Sequence, residues 1–256
     1  MQLTKKRRVI NSLITIGRYN DFVSGIMSLS GEKRSSYVCV SNVHMLIEAY
    51  KDENFKEVVN NASIATPDGM PIAKAMKLLY GIDQDRVAGM DLMPDMFREC
   101  DENSKSIFLY GATDDTLNAI TNKALKEHPN LKIYSYSPPF RMLNWQEKEE
   151  IVKKINDLNP DFVFVALGCP KQEKWMAEHK DKIKSCMVGL GGAFDVYAGI
   201  KDRAPAWMQR YSLEWVYRLV QEPQRLWKRY LVTNTLFLIL LAKQYFKIKI
   251  LNKSEV

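Results

Sequence analysis

The sequence predicts an α/β protein of the Rossmann-like, doubly wound type, with a mainly parallel sheet and a helical C-terminal appendage. Apolar runs and helical patterns alternate from residue 9 to residue 195, the order that crossover connections require. The runs at 105–110 and 161–167 are apolar almost throughout, as in strands covered on both faces. With 256 residues and 46% hydrophobic residues, the chain suffices for one such domain, which we assign to residues 1–200.

In the first half of the chain, apolar runs alternate with helical patterns. The run at 36–41 ends at Asn42, and Met45, Leu46 and Ala49 then recur at helical spacing. Gly81 is the expected end of the helix that follows residue 71, because glycine often terminates helices. The predicted elements are strands over 9–17, 36–41 and 62–65 and helices over 19–29, 43–50 and 72–81.

The second half repeats this alternation. Thr113 or Asp114 is the expected N-cap of a helix that follows the run at 105–110. Pro170 suits the first turn of the helix after residue 167, where its missing N–H has no partner to lose. The predicted elements are strands over 105–110, 131–135, 161–167 and 185–190 and an amphipathic helix over 146–158.

A tight loop, Thr66-Pro-Asp-Gly-Met-Pro71, holds a single carboxylate at the end of an apolar segment. Pro67 restricts its own backbone and that of the preceding residue, and Gly69 permits a turn that other residues resist. Loops at strand ends carry the chemistry of many α/β proteins, which makes Asp68 a candidate catalytic residue. The alternative is that Asp68 is an ordinary turn residue or the N-cap of the next helix.

Two further loops, at Gly111 and Gly168, follow predicted strands and should lie on the same edge of a parallel sheet as Asp68. Gly111 lies between a strand and a helix N-terminus, a geometry that places phosphates, although the pattern is not G-x-G-x-x-G. Gln172 follows the turn at Gly168. Gly192, preceded by another glycine, lets backbone approach a ligand, and Asp195 is either a ribose or base contact or a cap or salt-bridge partner.

Asp83 and Asp85 match the D-x-D pattern with which many sugar-nucleotide enzymes hold a divalent metal. They follow a Gly-Ile loop rather than a strand, and such sites need more converging oxygen ligands than the sequence offers nearby. We therefore expect no metal. The four cysteines form no C-x-x-C pair, and we read them as reduced, mostly buried thiols of a cytosolic protein.

Residues 201–256 form the predicted appendage and carry the whole net charge of +7, because 11 of the 37 basic residues but only 4 of the 30 acidic residues lie there. This excess predicts an anionic partner: phospholipid, a phosphorylated substrate or nucleic acid. Residues 231–242 are strongly apolar but shorter than the roughly 20 residues that span a bilayer. Lysines follow, of which the last is Lys253, so residues 203–253 are predicted to lie on a membrane surface, or else to dock on the domain or on a second subunit.

Taken in order, the motifs of the chain resemble those of the WecG/TagA/CpsF family of glycosyltransferases, glycosyltransferase family 26. The resemblance covers about residues 9 to 230, and the ordered set is far more specific than any member of it. The motifs are Ser41-Asn-Val-His44, Thr66-Pro-Asp-Gly-Met-Pro71, Arg86-Val-Ala-Gly-Met-Asp-Leu92, Leu109-Tyr-Gly-Ala112, Gly168-Cys-Pro-Lys-Gln-Glu173, Gly191-Gly-Ala-Phe-Asp195, Arg203-Ala-Pro, Leu213-Glu-Trp, Tyr217-Arg-Leu, Glu222-Pro and Arg225.

The resemblance implies an inverting transfer of a sugar, N-acetylmannosamine or a related hexose, from a UDP-sugar to a polyprenyl-diphosphate-linked acceptor. Such enzymes contribute to teichoic acid linkage units, capsules and exopolysaccharides. The protein would be cytoplasmic and peripheral on the inner face of the cell membrane. The resemblance also implies a compact Rossmann-like fold, with a basic appendage that touches the membrane and can close over the active site.

Carried over residue by residue, the resemblance makes Asp68 the general base, with Asn42 beside it. Val40 stands where members often have threonine, which leaves Ser41 as the hydroxyl that could hydrogen-bond the substrate. Arg86 matches an arginine suited to the diphosphate, and Gln172 a glutamine of the pocket.

Two further groups of residues carry over. Asp195 would contact the uridine. Arg218, Arg225 and Lys228 match basic positions of the appendage that would stabilise the departing UDP or grip the lipid diphosphate. With those cations neutralising the leaving group, no metal cofactor is expected.

Two readings from other classes compete with the enzyme. One is a non-catalytic membrane-surface scaffold that retains the fold, and loss of Asp68 or Gln172 would favour it; both are present. The other is a nucleic-acid-binding protein, against which the apolar stretch beside the cations argues. The donor sugar, the acceptor and a homo-oligomeric state stay open at the level of sequence.

Overall fold

The computed structural model describes residues 3–31, 35–211 and 213–249. Within them, a parallel six-stranded sheet has the strand order β4-β3-β8-β7-β5-β6, and a separate antiparallel hairpin, β1-β2, lies near the N-terminus. The strands are β1 Lys6–Val9, β2 Ser12–Thr15, β3 Ser36–Ser41, β4 Ile64–Pro67, β5 Ser106–Gly111, β6 Lys132–Tyr136, β7 Phe162–Ala166 and β8 Cys186–Gly189.

Helices cover both faces of the sheet, and four of the described helices follow the last strand. Residues 250–256, including Lys253, lie outside the described part of the chain. The helices are α1 Tyr19–Gly31, α2 Val43–Lys51, α3 Glu53–Asn60, α4 Met70–Tyr80, α5 Gly89–Glu102, α6 Asp114–Glu127, α7 Trp145–Leu158, α8 Lys171–His179, α9 Ala193–Tyr197, α10 Ala206–Arg210, α11 Glu214–Gln221 and α12 Pro223–Lys249.

The sheet is buried on both faces, which confirms the predicted doubly wound, Rossmann-like fold. On β7, Val163 and Val165 face the core beneath α2, α3, α4, α7 and α8. Phe162 and Phe164 face a second core beneath α1, α5, α6 and α9. Both sides of a parallel strand are therefore apolar, which explains the continuous apolar runs in the sequence.

The strand predicted over 9–17 is confirmed only over β2, Ser12–Thr15, and β2 belongs to the β1-β2 hairpin outside the main sheet. Val9 pairs with Ser12, so Ile10 and Asn11 form a two-residue turn, and Ile10 adopts a positive φ of 62°. A β-branched residue resists that conformation. The turn is held by Gln244 of α12, whose Oε1 accepts the Ile10 N–H at 2.7 Å. A partner 234 residues away thus overrides the local preference.

One strand boundary and one helix also differ from the sequence prediction. Strand β4 runs from Ile64 to Pro67, two residues later than expected, because Thr66 and Pro67 still pair with β3. Helix α5 occupies a segment to which the sequence analysis assigned no element. Pro94 lies inside it, yet the apolar residues recur at helical spacing and are buried: Leu92, Met93, Met96, Phe97 and Cys100.

Helix α12 begins at Pro223 and packs on α2 and α4. Phe237, Leu240 and Leu241 join the core on that side of the sheet. Among the described residues it is the one helix long and apolar enough, by length and composition, to cross a membrane. Its outer face keeps large exposed side chains: Leu231, Val232, Leu238, Ile239 and Phe246. The helix is thus docked on the domain, with an apolar face left outward.

Gly111 should be indispensable to the packing of β5 against β7. It has a φ of 107°, and a Cβ there would lie 2.5 Å from the carbonyl oxygen of Ala166. We expect Gly111→Ala to lower the free energy of unfolding by about 3 kcal/mol or more, since strain and overlap add. Urea denaturation measures this.

Gly81→Ala is the matched control for that substitution. Gly81 has a similar φ of 70°, but no atom lies within 4 Å of an added Cβ. The free energy of unfolding of Gly81→Ala should fall only by the cost of the left-handed backbone conformation, roughly 1–2 kcal/mol. Equal losses in the two variants would contradict the close contact at Gly111.

Candidate active site

A cleft of about 980 Å³ lies across the carboxyl ends of the central strands. Its walls come from the loops after β3, β4, β7 and β8 and from the helices α10 to α12. Parallel strands bring these loops to one edge of the sheet. The sequence-predicted residues that line the cleft are Asn42, Asp68, Arg86, Gln172, Gly192, Asp195, Arg218 and Arg225.

Asp68 lies at the end of β4, where backbone hydrogen bonds hold it in place. Its N–H donates to the Ser41 carbonyl at 2.8 Å, and the Val87 N–H donates to the Pro67 carbonyl at 3.0 Å. Gly69, with a φ of 99°, is the N-cap of α4, and no side chain caps that helix. The carboxylate of Asp68 is therefore free of the capping role that local sequence suggested as an alternative.

Asn42 fixes the orientation of its amide through its own helix. Its Oδ1 accepts the Met45 N–H at 3.1 Å and caps α2. That bond commits the oxygen, so the amide N–H₂ is the group that hydrogen-bonds the Asp68 carboxylate. Asn42 thus stabilises the ionised form of Asp68.

The surroundings of Asp68 bring its pKa close to the working range of a general base. The pKa of Asp68 is raised to about 6: burial, the largest cause, and Glu214 raise it, whereas Arg218, Arg86 and the Asn42 hydrogen bond lower it. At neutral pH the carboxylate is mostly ionised yet far more basic than a solvated aspartate. Two of these charges, Arg218 and Glu214, come from α11, so the appendage helps to set the basicity.

Arg86 joins the domain to the appendage through a cluster of ion pairs. Its Nη1 lies 2.5 Å from Glu214 Oε2 and its Nη2 lies 2.7 Å from Asp91 Oδ2. Arg203 also pairs with Asp91. The Arg86 side chain is only 15% exposed, so these pairs exchange little with water. Arg86 lines the cleft, but carboxylates already occupy both of its terminal nitrogens.

Gln172 is buried beneath the cleft floor, and two hydrogen bonds orient its amide. Its Oε1 accepts the Gly168 N–H at 3.2 Å, and its Nε2 donates to Glu173 Oε1 at 2.7 Å. A Cβ at Gly189 would lie 2.9 Å from Nε2 and one at Gly191 would lie 3.0 Å from Oε1. The glycines therefore make room for this amide.

Glu173 is fully buried, and its Oε2 has no hydrogen-bond partner among the described residues. Burial raises its pKa to about 7, although the Gln172 hydrogen bond and the neighbouring Cys169 lower it. The carboxyl is thus close to half protonated at neutral pH, directly behind a residue that lines the cleft.

The glycine loop after β8 contacts Arg218, a cation of the appendage. A Cβ at Gly192 would lie 3.0 Å from Arg218 Nη2, so the guanidinium rests on this backbone. Asp195 is salt-bridged to Lys201 at 2.7 Å, and Lys201 also binds Glu222 at 2.9 Å. Asp195 is thus a salt-bridge partner, one of the alternatives that the sequence left open. It also lines the cleft.

Three residues singled out from the sequence do not line the cleft. Ser41 is fully buried, and its hydroxyl donates to the Cys39 carbonyl at 3.4 Å, so it reaches the site through its backbone only. Gly111 lies beneath the site, against Ala166. Lys228 is exposed on α12.

The sequence analysis missed several groups that line the cleft, above all Arg229. Arg229 follows Arg225 by four residues, the spacing of one helix face, and that signal was available in the sequence. It also lowers the pKa of His44, after burial, which is the larger cause. Glu214 stands in the motif Leu213-Glu-Trp, but its pairing with Arg86 could not be predicted because the two residues are 128 positions apart in the chain.

The D-x-D pair performs a structural role in this protein. Arg18 Nη1 lies 3.2 Å from Asp83 and 3.1 Å from Asp85, and the Tyr19 N–H donates to Asp85 at 2.9 Å. Both carboxylates thus anchor the start of α1. Nowhere in residues 3–31, 35–211 and 213–249 do three His, Cys, Asp or Glu side chains group as a metal would require.

The family model of the glycosyl transferase WecG/TagA/CpsF family matches residues 7–250. The chain belongs to this family. The match extends from the N-terminal hairpin through α12, so the appendage is part of what the members share. The resemblance inferred from the ordered motifs is confirmed, and the protein is a glycosyltransferase.

Curated relatives are similar over most of their length. A protein of Bacillus subtilis (strain 168) is 37% identical over 201 residues, 78% of this chain and 77% of the relative. One from Staphylococcus aureus (strain MW2) is 31% identical over 216 residues, 83% and 82% of the two chains. Both are named N-acetylglucosaminyldiphosphoundecaprenol N-acetyl-beta-D-mannosaminyltransferase.

The raised pKa of the buried Glu173 predicts how the free energy of unfolding depends on pH. The folded pKa of about 7 exceeds the ordinary value of 4.5, so the wild type loses stability as pH rises between these values. Glu173→Gln does not titrate. Its free energy of unfolding relative to wild type should therefore rise by about 3 kcal/mol between pH 5 and pH 8, as measured by urea denaturation.

Glu178→Gln serves as the control on the same helix. The Glu178 side chain is half exposed and pairs with Lys148, which lowers its pKa. This variant should show no rise relative to wild type over the same pH range. A Glu173→Gln difference that stays flat with pH would mean that Glu173 remains ionised in the folded protein.

Proposed function

We propose that this glycosyltransferase transfers N-acetylmannosamine, or a related hexose, from a UDP-sugar to a polyprenyl-diphosphate-linked sugar with inversion at the anomeric carbon. The observation that carries this proposal is the partly buried Asp68 carboxylate, which shares one cleft with arginines of the appendage. A base and a set of cations facing each other suit a reaction in which a hydroxyl loses a proton and a diphosphate departs. The names of the relatives supply the sugar and the acceptor.

Asp68 is the general base of the proposed reaction. The acceptor hydroxyl attacks the anomeric carbon, its proton passes to Asp68, and the bond from that carbon to the UDP oxygen breaks. One displacement inverts the configuration. Asn42 holds the carboxylate in line through its hydrogen bond. A pKa of about 6 leaves this carboxylate ionised at neutral pH and strong enough to accept the proton.

Arginines of the appendage neutralise the leaving diphosphate. Arg218, Arg225 and Arg229 line the cleft. Guanidinium groups bind phosphate oxygens with two N–H donors and need no metal for charge balance. Arg86 lies in the same cleft, and a phosphate that reaches it would displace Glu214. The proposal therefore includes no metal cofactor, and turnover in the presence of EDTA tests that part of it.

The remaining polar groups suit the nucleoside and the sugar. Gln172 lines the cleft with an amide that its neighbours orient, which favours a directed hydrogen bond to the donor. Asp195 and the backbone at Gly192 lie where a uridine would bind, provided that Asp195 releases Lys201. The family match and this cleft favour the enzyme over a non-catalytic scaffold of the same fold.

We also propose a peripheral position on the cytoplasmic face of the membrane, through the appendage. Helix α12 packs on the domain with one face, which favours a helix lying along the surface. Cations accompany the exposed aromatic residues, a combination found at membrane interfaces, and the exposed aliphatic side chains of α12 favour lipid over nucleic acid. The exposed aromatic residues of the appendage are Trp207, Tyr211, Trp215, Trp227 and Phe246. A homo-oligomer is compatible with the same face.

The direct test is turnover with a panel of UDP-sugars and a soluble, short-chain analogue of polyprenyl-diphosphate-N-acetylglucosamine. Asp68→Asn removes the proton acceptor and keeps the shape, so kcat should fall by about 10²–10⁴-fold. Asp83→Asn, which alters a surface carboxylate bound to Arg18, is the control and should keep wild-type kcat.

The outcomes of this test separate the parts of the proposal. Turnover that survives Asp68→Asn would keep the enzyme and remove Asp68 as its base. Failure with every donor, combined with UDP binding in calorimetry, would point to another acceptor. Failure of both turnover and UDP binding would favour the scaffold.

A neighbouring pair of residues tests the role of the appendage cations. Arg229 lines the cleft, whereas Lys228 carries the same charge and is exposed to solvent. With the soluble acceptor, Arg229→Ala should lower kcat/KM by about 10–100-fold, since it removes one cation from the leaving group. Lys228→Ala should stay within about twofold, because a screened surface charge contributes little. A larger effect of Lys228→Ala would reverse the assignment of the α12 face.

A further inference from the structure

The loop between β6 and α7 exposes three large apolar side chains. Phe140 is 85% exposed, Met142 is 95% exposed and Trp145 is 73% exposed. Soluble proteins rarely leave such residues together in water without a partner. The activity proposed above leaves this loop without a role.

Hydrogen bonds fix both ends of this loop to the fold. The Ser137 hydroxyl donates to the Ala112 carbonyl at 2.8 Å. Arg141 donates two hydrogen bonds to Glu147, at 2.5 and 2.8 Å. Asn144 and Glu147 form a capping box at the start of α7. Within residues 137–145 the only charge is that of Arg141, and Glu147 neutralises it, which lowers the cost of removing the loop from water.

The position of the loop relates it to the cleft. Strand β6 is parallel to β5 and β7, so the loop leaves the same edge of the sheet as the site. Phe140 lines one side of the cleft, and Trp215 and Leu238 of the appendage also line it. The mouth of the cleft thus has apolar residues from both the domain and the appendage.

We propose that the segment 138–145 is a second membrane-contacting element, which inserts Met142 and Trp145 into the boundary between headgroups and acyl chains of a bilayer. This inference rests on the proposed membrane-linked acceptor. Three side chains bury much less area than the roughly 800 Å² that each partner buries in a stable protein interface. They therefore fit a lipid bilayer better than a second protein. Phe140 then continues the apolar surface from the bilayer to the cleft.

Binding to vesicles of phosphatidylcholine and phosphatidylglycerol tests this inference with the full chain. Met142→Ser combined with Trp145→Ser should weaken binding about tenfold or more, because two large apolar side chains lose their burial. Leu78→Ser is the control: Leu78 is 48% exposed near the end of α4, away from the cleft edge, and its substitution should not matter. Unchanged vesicle binding in the double variant would overturn the proposal.

A depth measurement identifies the contact directly. An environment-sensitive fluorophore on Met142→Cys should be quenched by brominated lipids, and the same probe on Leu78→Cys should not. The native thiols interfere little, since Cys39, Cys100 and Cys186 are buried and Cys169 is partly buried with a raised pKa. Absence of quenching at position 142 in vesicle-bound protein would overturn the insertion.

Turnover of the soluble acceptor without vesicles separates this inference from the proposed function. The double variant should keep wild-type kcat and KM there, because neither Met142 nor Trp145 lines the cleft. Lost turnover would mean that the loop serves the substrate, and a changed sedimentation mass would mean that it binds a second copy; either result overturns the proposal. Wild-type protein that binds vesicles but transfers no sugar would leave the membrane contact and remove the proposed reaction.

Discussion

The burial of the Asp68 carboxylate, under charges that the appendage supplies, is the interaction on which the proposed active site depends. Burial raises the pKa of this carboxyl. Arg218 and Arg86 favour its ionised form, whereas Glu214 opposes it. Because Glu214 also pairs with Arg86, the charges that set the pKa of the proposed base also hold the appendage to the domain. Docking of the appendage and the basicity of Asp68 are therefore physically linked.

The same linkage explains why the cleft contains competing carboxylates. Glu214 occupies Arg86, and Asp195 and Glu222 share Lys201. These acidic groups keep the cations paired, since an unpaired charge in a partly buried site is costly. In the proposed reaction, a substrate with two phosphates would take over these cations, and the released carboxylates would return toward water.

Much of the fold and part of the site could be predicted from the sequence because the signals are local. Continuous apolar runs predicted β3, β5 and β7, and parallel pairing then brought Asp68 and Gln172 to one edge. What failed depends on distant contacts. The turn at Ile10 needs Gln244, and the pairing of Arg86 with Glu214 spans 128 residues. Helical spacing brings both Lys228 and Arg229 near Arg225, and which of the two lines the cleft depends on how α12 is rotated on α2 and α4.

The dependence of kcat/KM on pH, measured with the soluble acceptor, tests the account of Asp68 most directly. The account predicts a rate that rises with pH and levels off, with an apparent pKa of about 6, because the base must lose its proton before it can accept one. Removal of Glu214 as Glu214→Gln should move this pKa downward, since one anion that raises it is gone. A profile that is flat from pH 5 to pH 8, or that falls over this range, would contradict the assignment of Asp68 as the base.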